Sequence, residues 1–194
     1  MKVAIIEYNA GNVKSLEFTL ERLGISPIIT SDHDLIRTAD KVIFPGVGEA
    51  SSTMSFLKER GLDHIIPSLQ QPVLGICLGM QLLCTSSEEN NTRCMGVFDV
   101  AVKKFQPSPG LKVPHMGWNI IKDRGNAGII NAGNSYVYFV HSYYVPVNPW
   151  TTLTCEYGIS FSAGIRKENF WGLQFHPEKS AETGRLVLEK FLKS

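Results

Sequence analysis

The 194 residues contain no long hydrophobic run, no block of like charge and no pair of closely spaced cysteines. No apolar stretch approaches the ~20 residues a helix needs to cross a bilayer, so no helical membrane span is expected. The apolar run over residues 3–6 is short and ends at Glu7, unlike a secretory signal. Lys and Arg number 19 against 18 Asp and Glu, a formal net charge of +1 that provides no field for nucleic acid. Cys77, Cys84, Cys94 and Cys155 form no C-x-x-C pair and no Cys/His cluster with zinc spacing. Free thiols in a reducing cytoplasm are the expectation. There is no internal repeat and no low-complexity linker. A chain of this length, 43% hydrophobic and 19% charged, fits one globular domain over residues 1–194.

What is present falls into two textures. Apolar runs over 2–8, 25–30, 41–44 and 73–77 read as strands. They alternate with helical patterns over 13–23, 49–60 and 62–70 and a short turn around Leu35 and Ile36, capped by Ser31 or Asp32. The β-α-β order predicts an α/β fold, a mostly parallel, flavodoxin-like sheet flanked by helices with ligands at its carboxyl edge. After about Ser86, short β-rich runs over 97–105, 117–121, 136–145, 152–157, 161–166 and 170–174 predict an antiparallel extension. An amphipathic helix over 181–192 closes the chain, with Leu186, Leu188, Phe191 and Leu192 expected inward.

Gly75, Cys77 and Gly79 form G-x-C-x-G between a strand and residues 80–83, which can begin an amphipathic helix. A sharp strand-to-helix turn crowds its backbone, and glycines on both sides of the apex relieve the clash. A thiol lifted out there, beside free N–H groups, has its anion stabilised. Taken alone, the motif also fits a buried strand cysteine followed by a loop. Pro45, Gly46, Val47 and Gly48 follow the third strand. They lack the Lys-Ser/Thr of a P-loop and the third glycine of a dinucleotide fingerprint. His176, Pro177 and Glu178 end the last strand, and residues two apart in extended backbone face the same side. An imidazole oriented by a carboxylate is what a nucleophilic thiol requires. His115 and His141 are rival bases, but neither has an acidic neighbour in sequence, so packing or hydrogen bonding is expected of them. His33 and His64 are expected in solvent.

FPGVG, GICLGMQLL and GLQFHPEKS, in that order, resemble the class I (triad-type) glutamine amidotransferases. YNAGN, PHMGWN and YFVHSYY narrow the likeness to the glutaminase subunits of imidazole glycerol phosphate synthase, over essentially the whole chain. The resemblance implies that Cys77 attacks the side-chain amide of glutamine, that His176 carries the proton and that Glu178 orients His176. It implies an oxyanion hole from the backbone N–H groups of Val47 and Leu78. Gly48, Gln81, Glu89 and the backbone of Ser142 and Tyr143 would bind glutamine, with no metal or organic cofactor. It further implies a heterodimer with a (β/α)8-barrel cyclase that consumes the ammonia, docked on Asn12, Trp118, Tyr138 and Lys179. The alternatives are a glutaminase subunit of another pathway, such as pyridoxal phosphate synthase, and a cysteine hydrolase or peptidase of the same topology. A subunit kept only for binding is a third.

Overall fold

The structure is a computed structural model, and it describes residues 1–8, 13–108, 110–124 and 135–194. The first half runs β1 (Val3–Ile6), α1 (Val13–Arg22), β2 (Ile28–Thr30), α2 (His33–Arg37), β3 (Lys41–Phe44), α3 (Ala50–Glu59), α4 (Leu62–Ser68), β4 (Val73–Ile76) and α5 (Leu78–Leu82). The second runs β5 (Cys84–Ser87), β6 (Thr92–Arg93), β7 (Phe98–Lys104), β8 (His115–Asp123), β9 (Ser135–His141) and β10 (Tyr143–Tyr144). β11 (Thr151–Tyr157), β12 (Ile159–Lys167), β13 (Phe170–Leu173) and α6 (Ala181–Leu192) complete it.

A nine-stranded sheet in the order β2-β1-β3-β4-β13-β12-β11-β8-β9 joins both halves. The five strands from β2 to β13 are parallel, and the rest pair antiparallel. The continuous apolar runs of β1, β3 and β4 are buried throughout because helices cover both faces of the parallel part. In β1, Ala4 and Ile6 enter the core on one face and Val3 and Ile5 the core on the other, the period-two alternation of a strand. A four-stranded sheet, β10-β7-β5-β6, carries Tyr143 and leads into Glu89.

Caps set the helix starts. The Asp32 carboxylate accepts from the N–H groups of Asp34 and Leu35 at 2.9 Å each, and Glu49 does the same for Ser51 and Ser52 at the start of α3.

The α/β expectation holds, with four local corrections. The helix after the elbow is only five residues long and buried all round, so it has no polar face to make it amphipathic. The expected strand over 136–145 is two strands that break at Ser142, because β9 belongs to the large sheet and β10 to the small one. β5 and β6 lie in polar Thr, Ser and Arg sequence with no hydrophobic alternation to announce them. Leu186 points outward at 44% exposure, while Val187 takes a place in the core.

Candidate active site

β4 delivers Cys77 to the carboxyl edge of the sheet. The Cys77 N–H donates to the Leu173 carbonyl of β13 at 2.7 Å, and the chain then turns at φ 53°, ψ −108° into α5. A non-glycine residue at positive φ costs ~1–3 kcal/mol and persists where the surroundings hold it. Here the hold is close packing of the elbow against the Pro45–Gly48 turn (residues 45–48). A Cβ on Gly79 would overlap the Phe44 carbonyl, and one on Gly46 would overlap the Gly79 nitrogen. The turn and the Cys77 elbow fit together only because Gly46 and Gly79 lack side chains. Cys77 is buried at the floor of a cavity, not exposed at the apex.

His176 follows β13. Its Nδ1 lies 2.8 Å from Glu178 Oε1, and both side chains are almost wholly buried, 2% and 6% exposed. Pro177 opens a short 3-10 turn that brings the carboxylate back under the ring. Among the described residues His176 Nε2 has no nitrogen or oxygen partner; it is left facing the Cys77 thiol. Burial alone would depress this imidazole, but its interactions with Cys77 and Glu178 outweigh that and raise its pKa. Ser180 Oγ donates to the His176 carbonyl at 2.6 Å and fixes its main chain.

A cavity of about 340 Å³ opens over the thiol. Val47, Gly48, Leu78, Gln81, Glu89, Ser142, Tyr143 and His176 all line it, and Glu178 sits behind His176. Glu89 takes its place through the turn at 89–91, where its Oε2 accepts the Ala50 N–H at 2.8 Å. Burial raises its pKa against that hydrogen bond, and the charge of Glu49 adds to the rise. Both amide hydrogens of Gln81 are committed, one to the Tyr143 carbonyl and one to Gln174 Oε1, each at 2.9 Å. Gln81 therefore offers the cavity its carbonyl oxygen.

Two groups at the site went unseen in the sequence. Gln174 is fully buried and directs its Nε2 donor to Cys77 Sγ at 3.6 Å. It stands two residues before His176, so strand alternation could have placed it. Tyr8, two residues past β1, donates its hydroxyl to the Pro45 carbonyl at 2.5 Å. Burial and nearby Cys77 push this phenol far above its usual range, while the Val47 N–H, facing the same oxygen, pulls it down.

The rival histidines are excluded as base by their bonds. His141 lines the cavity, but its Nδ1 lies 2.7 Å from the Tyr143 carbonyl and its Nε2 3.0 Å from His115 Nδ1, leaving no nitrogen for the thiol. His33 and His64 stay at the surface, though His33 Nε2 reaches the Arg60 carbonyl at 2.7 Å. Burial raises the thiols of Cys84, Cys94 and Cys155, the last two to about 12, so none of these is a thiolate near neutral pH. All four cysteines are free. Trp118 and Lys179 both contact the Tyr138 ring, at 6.1 Å between rings and 5.9 Å from Nζ to centroid. Asn12 lies outside the described residues. Among those residues no helix is long and apolar enough to cross a membrane, and no group of three or more His, Cys, Asp or Glu could hold a metal.

A thiol at a strained elbow, a carboxylate-held imidazole beside it and a cavity over both are the parts that thiol-based acyl-transfer chemistry requires. The chain belongs to the class-I glutamine amidotransferase family, whose model matches residues 4–194. It is 54% identical over 196 residues to the imidazole glycerol phosphate synthase subunit HisH of Bacteroides fragilis, covering 99% of each chain. It is 43% identical over 195 residues to the subunit of the same name in Escherichia coli, again covering 99% of each. A solved structure described as a glutamine amidotransferase superposes with TM-score 0.76 at 17% identity, over 98% of this chain and 97% of that one. A second, from Thermotoga maritima, gives 0.66 at 19% identity, over 100% and 83%. At those identities the structures speak for the fold alone.

Proposed function

We propose that this chain is the glutaminase subunit of an imidazole glycerol phosphate synthase, acting in histidine biosynthesis as a single domain over residues 1–194 in the cytoplasm. The buried His176–Glu178 pair at 2.8 Å, set against Cys77 at its strained elbow, carries the reading. Glutamine enters with its α-ammonium toward Glu89 and the Gln81 carbonyl oxygen, and its carboxylate against the backbone of Ser142 and Tyr143 near Gly48. Cys77 sulfur bonds to the side-chain amide carbon while His176 takes the thiol proton. The proton passes to the amide nitrogen, the C–N bond breaks and ammonia leaves. Water, deprotonated by His176, then attacks the thioester; the C–S bond breaks, glutamate departs and the thiol regains its proton. Gln174 donates to the sulfur throughout. The negative oxygen of each tetrahedral intermediate is met by the Leu78 N–H and, when its peptide is turned inward, the Val47 N–H.

The resting orientation of Val47, with its N–H toward Tyr8, supports a hole that holds one donor until a partner and substrate favour the other state. Free ammonia would protonate and diffuse away in neutral water, so a separate cyclase that receives it is expected, a (β/α)8-barrel forming a heterodimer with this chain. It would use the ammonia to make imidazole glycerol phosphate and aminoimidazole carboxamide ribonucleotide. The Trp118, Tyr138 and Lys179 cluster is the docking face we assign to it. Full-length identity of 43–54% to HisH subunits favours this partner over a pyridoxal phosphate synthase.

The test is glutamate production by the chain with and without the cyclase, for wild type and Cys77→Ala, together with mapping of an electrophilic glutamine mimic. Activity and adduct are both expected to depend on Cys77. An adduct chiefly on Cys84, Cys94 or Cys155, or full activity in the variant, refutes the assignment.

A further inference from the structure

We propose that the buried pair His115 and His141 positions the glutamine-binding peptide, by holding the Tyr143 carbonyl at the end of a one-way chain of hydrogen bonds. The proposal rests on the glutaminase reading of the cavity. The direction of the chain follows from its end. A carbonyl oxygen can only accept, so His141 Nδ1, 2.7 Å from it, carries a proton. His115 Nδ1, 3.0 Å from His141 Nε2, then meets a lone pair and must itself be protonated. His115 Nε2 is left as an acceptor for the Asn119 amide at 3.3 Å, and that amide's other hydrogen goes to the Glu156 carbonyl at 3.0 Å. Asn119 cannot flip without loss, because its Oδ1 accepts the Ile120 N–H at 2.7 Å.

Both rings are thereby neutral in the Nδ1–H tautomer, which an unconstrained imidazole does not favour. A second proton on His141 would set two N–H groups face to face, and one on His115 would point at the Asn119 amide. Burial works in the same direction, depressing both rings. The geometry is clamped as well. His115 lies between Tyr157 and Phe139, with ring centroids 3.9 and 4.7 Å away at interplanar angles of 21° and 23°.

The carbonyl so held is a junction. It also accepts from Gln81, whose second hydrogen goes to Gln174, whose amide points at Cys77 sulfur. The histidines touch no reacting atom in this scheme; they fix where Tyr143 and Gln81 stand when glutamine arrives. An interaction of that kind serves ground and transition states alike, so its loss appears in KM.

The experiment has two arms. Nitrogen-15 NMR of the wild-type chain at pH 7 reads the tautomers, and His115 and His141 are both expected neutral with the proton on Nδ1. Glutaminase kinetics with the cyclase subunit compare His115→Leu, which removes the donor, with His115→Gln, which restores one. The Leu variant is expected to raise KM for glutamine about tenfold with kcat within about threefold, and the Gln variant to recover most of the loss. Either ring protonated on Nε2 overturns the proposal, as does a folded His115→Leu protein with wild-type KM. If the Leu variant does not fold, the tautomers decide. A wild-type complex that ignores glutamine refutes the glutaminase reading instead, and leaves the tautomers to be read on their own.

Discussion

Tyr8→Phe isolates one hydroxyl that holds the Pro45–Gly48 turn (residues 45–48) in its resting form. The hydroxyl donates to the Pro45 carbonyl at 2.5 Å and faces the Val47 N–H with its oxygen. The ring itself packs on Phe44, 5.6 Å between centroids, and that contact survives the change. A neutral intramolecular hydrogen bond is worth ~0.5–1.5 kcal/mol net, so the one to Pro45 favours the resting turn by an amount on that scale. A missing oxyanion donor costs ~2.7–4 kcal/mol in the transition state. With ~1.4 kcal/mol per tenfold, releasing the turn should raise glutaminase activity of the isolated chain between about twofold and tenfold. If the partner turns the peptide as proposed, the rate in the assembled enzyme should barely change. The assay is glutamate release by the isolated chain and by the complex, with urea denaturation to confirm folding. An unchanged or lower basal rate in a folded Tyr8→Phe protein refutes the latch.

His176→Ala should lose at least the ~100- to 10,000-fold that general-base catalysis supplies. Glu178→Gln should retain more, since an amide oxygen still accepts the Nδ1 hydrogen; steady-state rates with the cyclase decide, and reversed losses count against these roles. Gly46→Ala should destabilise the protein and not merely slow the turn, because its Cβ would overlap the Gly79 nitrogen and the Leu78 side chain; a wild-type melting temperature would contradict that packing. His115 and His141 have folded pKa values lowered to about 4 and about 3. The unfolded chain therefore binds more protons below about pH 6.5, and stability should fall with pH from there to about 4, by up to ~1.4 kcal/mol per pH unit for each ring. Urea midpoints between pH 7 and 5 should fall less steeply for His115→Gln than for wild type, and equal slopes would exclude the pair as the cause.

The parallel half of the fold was legible because β1, β3 and β4 are buried on both faces and so read as unbroken apolar runs, while Gly24 and Gly61 stop the helices between them. The small sheet was not, because β5 is held by main-chain pairing with β6 and β7, which leaves no pattern in Thr85, Ser86 and Ser87. At the site, Cys77, His176 and Glu178 each sit at a strand's carboxyl end with turn chemistry around them, and such ends can be found from sequence. Gln174 and Tyr8 lie inside apolar strings, where a polar side chain looks like an accident until its partner is known. The histidine pair was visible only as two isolated residues, since their meeting depends on the β8–β9 register that sets His115 opposite His141.

That same strand β9 explains how a surface can speak to the chemistry. Tyr138 shows its ring to Trp118 and Lys179 on the outside, yet its carbonyl accepts the His176 N–H at 3.0 Å and its N–H donates to Ser180 Oγ at 2.9 Å. Ser180 Oγ in turn donates to the His176 carbonyl, so the main chain of His176 is held at its N–H by Tyr138 and at its carbonyl by Ser180, which Tyr138 itself contacts. Two residues further on, the Val140 carbonyl lies 3.9 Å from Cys77 sulfur, and then comes His141 with its hold on Tyr143. A partner that shifts β9 by docking on Tyr138 thus displaces base, nucleophile environment and glutamine-binding peptide together. Loss of the Tyr138 ring alone, as in Tyr138→Ala, leaves every one of these main-chain bonds in place. It should therefore weaken response to the cyclase while sparing basal turnover, and a basal rate that falls as far as the stimulated one would show that the ring, not the strand, holds the base.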